Sequence, residues 1–284
     1  MKKKEYENAI KILETTKKYK NINSQIYQMS GNCYSYLGNA DSAIKEYEAG
    51  MKKFPNAGNL HLEKGNIFLG KEKYNEAIIN YENGIKSDPM FASNYYRLAL
   101  LYLDSKDKLS GVIYGELFIN LERSTKRTSE MSKLLYETYK KSITFNGNEA
   151  NIDFCEVIID AKKIKNTNIE MPFCGIFGSN FILSILNQKE INLKTLSEIR
   201  TDFIDNYFKK DFAKYPNVLF EYHKLMKENN VFDAYNKYIF QIGAQTEFAD
   251  WSDKNKADYD KFINWYKQKA NYLNINNKNK FIKE

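Results

Sequence analysis

Between Tyr27 and Pro89 the chain repeats itself at a separation of 34 residues. Tyr27-x-x-x-Gly31-x-x-Tyr34 is matched by His61-x-x-x-Gly65-x-x-Phe68. Further on, Ala43-Ile44-x-x-Tyr47-x-x-Gly50-x-x-x-x-Pro55 is matched by Ala77-Ile78-x-x-Tyr81-x-x-Gly84-x-x-x-x-Pro89. A fixed period of this length forces each copy into the same supersecondary unit, stacked on its neighbours. Within each copy the apolar residues recur every three or four positions, so each unit is two helices. Breaks at Leu37-Gly38-Asn39 and Gly70-Lys71-Glu72 separate the pair, and Pro55 and Pro89 follow helix ends, where a missing N–H costs nothing. Gly31, Gly65, Gly50 and Gly84 each cost about 1 kcal/mol of helix propensity relative to alanine. A cost repeated at one phase predicts helix crossings too close for a side chain.

This order of aromatic, glycine, alanine, aromatic and proline resembles the tetratricopeptide repeat. The resemblance is specific over Tyr27–Pro89, fair to about Leu121, and absent afterwards. It implies an all-α fold: a solenoid of helical hairpins wound into a right-handed superhelix, followed here by a divergent helical domain. The expected organisation is a solenoid over residues 1–143, an irregular connection over 144–174 and a helical C-terminal domain over 175–284. The solenoid reads as a leading half repeat, repeats at about 24–57 and 58–91, a degenerate third at about 92–123, and an extra helix. In the third copy Gly111 and Gly115 stand where Ala77 and Tyr81 would recur, while Val112, Ile113, Leu117, Phe118 and Leu121 keep a helical stripe.

In such arrays the first helices line a concave groove that takes an extended peptide or a partner helix. Carried onto this sequence, that groove is faced by Gln28, Asn32 and Tyr36, then Asn59, Leu62 and Asn66, then Tyr96, Arg97 and Leu100. Amides grip a backbone and rings cover apolar side chains. Asn32, Asn66 and Arg97 invite comparison with the clamp that some members use for a terminal carboxylate, but Gln28 and Ser93 stand where it needs lysine. The expected function is a non-enzymatic adaptor with a protein or peptide partner. The alternative is a self-associating subunit, a homodimer that uses Tyr6, Ile10 and Leu13 of the unpaired first helix, or the aromatic C-terminal helices around Trp251, Tyr259, Phe262, Trp265 and Tyr266.

Composition narrows the classes. The 284 residues are 43% apolar and carry a net charge of +7, a small surplus on 43 basic and 36 acidic residues. With no basic run beyond Lys2-Lys3-Lys4, nucleic acid is not expected. Three scattered cysteines, at 33, 155 and 174, and two histidines predict neither a metal site nor a disulfide framework, and no cofactor motif is present. Cys174, His223 and Asp233 form a superficial nucleophile set, but His223 falls in step with Leu219, Phe220 and Met226, which predicts a packed histidine and no catalysis. Glu5, Glu7 and Lys11 interrupt any leader, so the chain as written reads as cytoplasmic; a preceding segment would reopen a periplasmic or lipoprotein-anchored location. Past residue 144, Phe154–Ile159 reads as a short strand or a buried extended segment. Helices are then expected at about 175–187, 193–210, 217–227, 231–241 and 246–272, with a frayed tail after Asn274.

Overall fold

The structure is a computed structural model that describes residues 2–147, 149–157 and 171–283. Its helices are α1 (Lys2–Thr16), α2 (Ser24–Tyr36), α3 (Ala40–Lys53), α4 (Gly58–Gly70), α5 (Tyr74–Ser87), α6 (Ala92–Leu103), α7 (Lys108–Glu122) and α8 (Lys126–Ser142). A two-stranded hairpin follows, β1 (Ile143–Asn146) and β2 (Glu149–Ile152). Among the described residues six more α-helices follow: α9 (Phe173–Ile185), α10 (Leu193–Lys210), α11 (Val218–Glu228), α12 (Phe232–Ile239), α13 (Gln245–Lys254) and α14 (Lys256–Lys267). The chain divides into two compact units, one up to Leu101 together with the tail from Ile275, the other from Tyr102 to Asn274.

In the first unit α2–α3 and α4–α5 are the two repeated hairpins, and α1 packs on α2. The side chains of Asn23 and Asn39 accept from Gln25 N–H and Ser42 N–H and so start α2 and α3. Ala43, Tyr47, Leu60, Ala77 and Tyr81 are buried between helices. The interior glycines do what their spacing predicts. A Cβ on Gly31 would lie 2.1 Å from Cε1 of Tyr47, and one on Gly65 2.4 Å from Cε1 of Tyr81. Gly65→Ala is therefore expected to destabilise this unit by about 1–3 kcal/mol through overpacking, whereas Gly70→Ala, with open space around it, is neutral or slightly stabilising. Urea unfolding followed by far-UV circular dichroism checks both.

Several expectations are corrected. Helix α7 is not an amphipathic stripe: every residue from Leu109 to Asn120 is buried. Gly111 lies against the Leu103 backbone and Gly115 against Met131, so the glycines that break the repeat let α7 be enclosed on all sides. The all-α fold stands, with one small two-stranded hairpin beside the helices. Strands β1 and β2 pair antiparallel, Ile143 opposite Ile152, across a turn at Gly147, whose φ of 60° suits glycine. Phe154–Val157 forms no strand, and Ile158 and Ile159 lie outside the described residues. Phe154 is instead a core side chain, its ring 5.4 Å from Phe181 and 5.6 Å from Phe177. The cysteine spacing misled: Cys155 and Cys174, 19 apart in sequence, form a disulfide. The expected helix 246–272 breaks at Asn255 into α13 and α14. The tail is anchored at its start, with Ile275 2% exposed and its N–H on the Met90 sulfur.

Candidate functional site

The face shared by α2 and α4 carries a continuous run of side-chain hydrogen bonds. Ser24 Oγ donates to Asn59 Oδ1 at 3.0 Å, Asn59 Nδ2 to Gln28 Oε1 at 2.8 Å, and Gln28 Nε2 to Glu63 Oε1 at 2.8 Å. Asn66 Nδ2 then donates to Glu63 Oε2 at 3.2 Å. Asn32 and Asn66 are each also held from behind by the tyrosine fifteen residues on. Tyr47 OH donates to Asn32 Oδ1 at 2.6 Å and Tyr81 OH to Asn66 Oδ1 at 3.0 Å. Burial, with Glu63 nearby, pushes the Tyr47 phenol far above its ordinary range. Burial likewise pushes Tyr81 up to about 12, although Arg97 opposes it. Both hydroxyls therefore stay protonated donors, and each amide must turn its carbonyl inward and its NH2 outward. In the second repeat that NH2 is held by Glu63; in the first, Asn32 Nδ2 has no partner among the described residues.

Asn32, Ser35, Tyr36, Glu63, Asn66 and Ile67 line one concavity on this face. Tyr36 is 69% exposed, and its ring stacks on Tyr6 at 5.2 Å. Of the nine residues expected in the groove, the structure joins Gln28, Asn32, Tyr36, Asn59 and Asn66 into this cluster. Leu62, Tyr96 and Leu100 are half-buried and line no part of the concavity, and Arg97 reaches it through its field on Tyr81. Sequence reasoning missed Glu63, Tyr47 and Tyr81. The asparagine-to-tyrosine spacing of fifteen occurs twice and was a usable signal. Glu63 had none, because Met29 and Arg97 occupy its position in the neighbouring copies.

The second unit holds a different polar cluster, buried and built around Glu116 of α7. Its Oε1 accepts from Arg200 of α10, from His223 Nε2 of α11 at 2.7 Å and from Tyr235 OH of α12 at 2.8 Å. Tyr235 OH in turn accepts from Asn120 Nδ2 at 2.7 Å, and Asn120 Oδ1 accepts from Tyr266 OH of α14 at 3.1 Å. Because His223 spends its Nε2 proton on the carboxylate, its 3.2 Å approach to Arg200 Nη2 is a contact and not a hydrogen bond. Burial pushes the Glu116 carboxyl up, but Arg200 and His223 overcome it and hold the group down at about 2. Burial holds His223 below its ordinary 6.5 despite Glu116. The adjoining void is about 10 Å³, room for a water and no substrate. The residues of the superficial nucleophile set go separate ways: Cys174 is in the disulfide, and Asp233 accepts from Ser197 and Lys237.

Two comparisons bear on the first face. A family model described as tetratricopeptide repeat matches residues 24–52, and one described as TPR repeat matches residues 65–105. No curated protein sequence matches the chain. The matched segments cover α2, most of α3, the C-terminal part of α4, α5 and α6, the helices that build the asparagine face. By its helical hairpins, its glycine-tyrosine crossings and these matches, the stretch from residue 24 to residue 105 is built of tetratricopeptide repeats.

Proposed function

We propose that the chain is a non-enzymatic adaptor whose N-terminal array holds an extended peptide of a partner protein along α2, α4 and α6. Repeats of this family generally mediate protein–protein interaction. The observation that carries the reading for this chain is the tyrosine-held asparagine pair. Asn32 and Asn66 are oriented before any ligand arrives, and pre-oriented amides bind a peptide backbone without first losing rotamer freedom. The self-associating alternative is weaker, because Tyr6 already stacks on Tyr36 and Leu13 is buried within the same chain. The disulfide supports an oxidising compartment, and hence a location outside the reducing cytosol.

The test is affinity capture from source-cell lysate, with the intact chain beside an Asn32→Ala/Asn66→Ala/Tyr96→Ala variant of unchanged circular dichroism. A partner retained by the first and lost by the second is the expected result. Identical partner lists from both would overturn the groove as the working surface.

A further inference from the structure

The chemistry of the concavity narrows what the groove accepts. Glu63 stands in it as a half-buried carboxylate whose two oxygens take one hydrogen bond each, both from neutral amides, those of Gln28 and Asn66. These bonds fix its direction without forming an ion pair. No lysine or arginine makes an ion pair with it among the described residues: Lys64, next in sequence, bridges to Glu48 at 2.8 Å, Lys71 lines the same concavity but is exposed and makes no ion pair with Glu63, and neither does Arg97. Each carboxylate oxygen accepts about two hydrogen bonds, so acceptor capacity remains. In the same concavity lies the exposed ring of Tyr36. A carboxylate with spare acceptor sites beside an exposed aromatic ring, here one that stacks on Tyr6, is complementary to a cation. It is hostile to a carboxylate, which would be desolvated against a like charge.

Resting on the groove reading above, we propose that this concavity seats a cationic side chain of the bound peptide, with Glu63 as its counter-ion and Tyr36 as the ring against which it packs. The peptide is thereby not held by a terminal carboxylate at this point. The position itself is specific to the second repeat, since the equivalent residues are Met29 and Arg97. The surplus positive charge of the chain does not contradict this. That charge acts on approach and is screened over about 8 Å at physiological ionic strength, whereas the seat acts on contact.

The probes are four capped peptides, acetyl-Gly-Gly-X-Gly-Gly-amide, with X as arginine, lysine, citrulline or glutamate. They are titrated to millimolar concentration into the intact isotope-labelled chain, with the side-chain amide resonances of Asn32 and Asn66 as the readout. The arginine and lysine peptides are expected to shift these resonances saturably, with citrulline at least about fivefold weaker and glutamate weaker still. Glu63→Gln, which keeps size and removes charge, is expected to abolish the preference for arginine over citrulline. Tyr36→Leu, a change at an exposed position that does not threaten folding, is expected to weaken the arginine peptide severalfold. Equal affinities for arginine, citrulline and glutamate would overturn the cation seat and leave the groove standing. No shift with any peptide would also overturn the seat, and the capture experiment then decides the groove separately.

Discussion

Replacing Glu116 by alanine is expected to destabilise the C-terminal unit by about 3–5 kcal/mol, because Arg200, 3% exposed, is left as a buried charge with no counter-ion. Trp251 and Trp265 are the chain's two tryptophans and both lie in that unit, so tryptophan fluorescence during urea unfolding isolates the effect. Glu116→Leu combined with Arg200→Met removes both charges and is expected to recover more than half of the loss. His223 and Tyr235 still lose their acceptor, so recovery stays incomplete. Acid should expose the same cluster. Glu116 titrates near 2 when folded against an ordinary 4.5, so its contribution is complete above about 4.5 and is lost as the pH falls toward 2. His223 also lies below its ordinary 6.5, and protonating it favours the unfolded chain. Both signs agree: stability falls on acidification, beginning below about 6.5. A fluorescence-detected stability that is flat from pH 7 to 4 would contradict this assignment.

Reduction of Cys155–Cys174 is expected to cost the C-terminal unit about 3 kcal/mol, the entropy regained by an unfolded chain freed from a closed loop of about twenty residues. The bridge ties the stretch after β2 to the start of α9, beside Phe154 and Phe177 in the aromatic core. Thiol titration of the denatured chain should give one reactive group without reductant, Cys33, and three after reduction. A fluorescence-detected melt should fall in step with bridge reduction. Three thiols without reductant would remove the bridge and, with it, the argument for an oxidising compartment. The Cys155→Ser/Cys174→Ser variant should reproduce the reduced melt.

What could be read from the sequence, and what could not, divides along a physical line. The repeated hairpins were legible because their information is local. Glycine at one phase and tyrosine at another recur at 34, and Gly65 against Tyr81 is a contact between neighbouring helices of one unit. The candidate face was half legible. Asn32 and Asn66 stand out at the repeat spacing, but Glu63 gains its meaning only when α2 brings Gln28 to its carboxylate. In the second unit the partners come from far apart. Glu116 meets Arg200 84 residues on and His223 107 residues on, and a lone glutamate in an apolar helix gives no hint of which cations will reach it. The disulfide was misread for the same reason, since spacing says nothing about which Cα atoms the fold brings to 6.0 Å.

The sequence by itself determined the helical period, the repeat register and the residues at the close crossings, because these depend on contacts within a hairpin or between successive ones. The tertiary structure alone decided that α7 would be enclosed, that one carboxylate would bind α10, α11 and α12 together, and that Glu63 would stand in the groove without an ion pair among the described residues. Those outcomes depend on side chains distant in sequence sharing one low-dielectric site, where pairing or its absence is set by geometry and not by order along the chain.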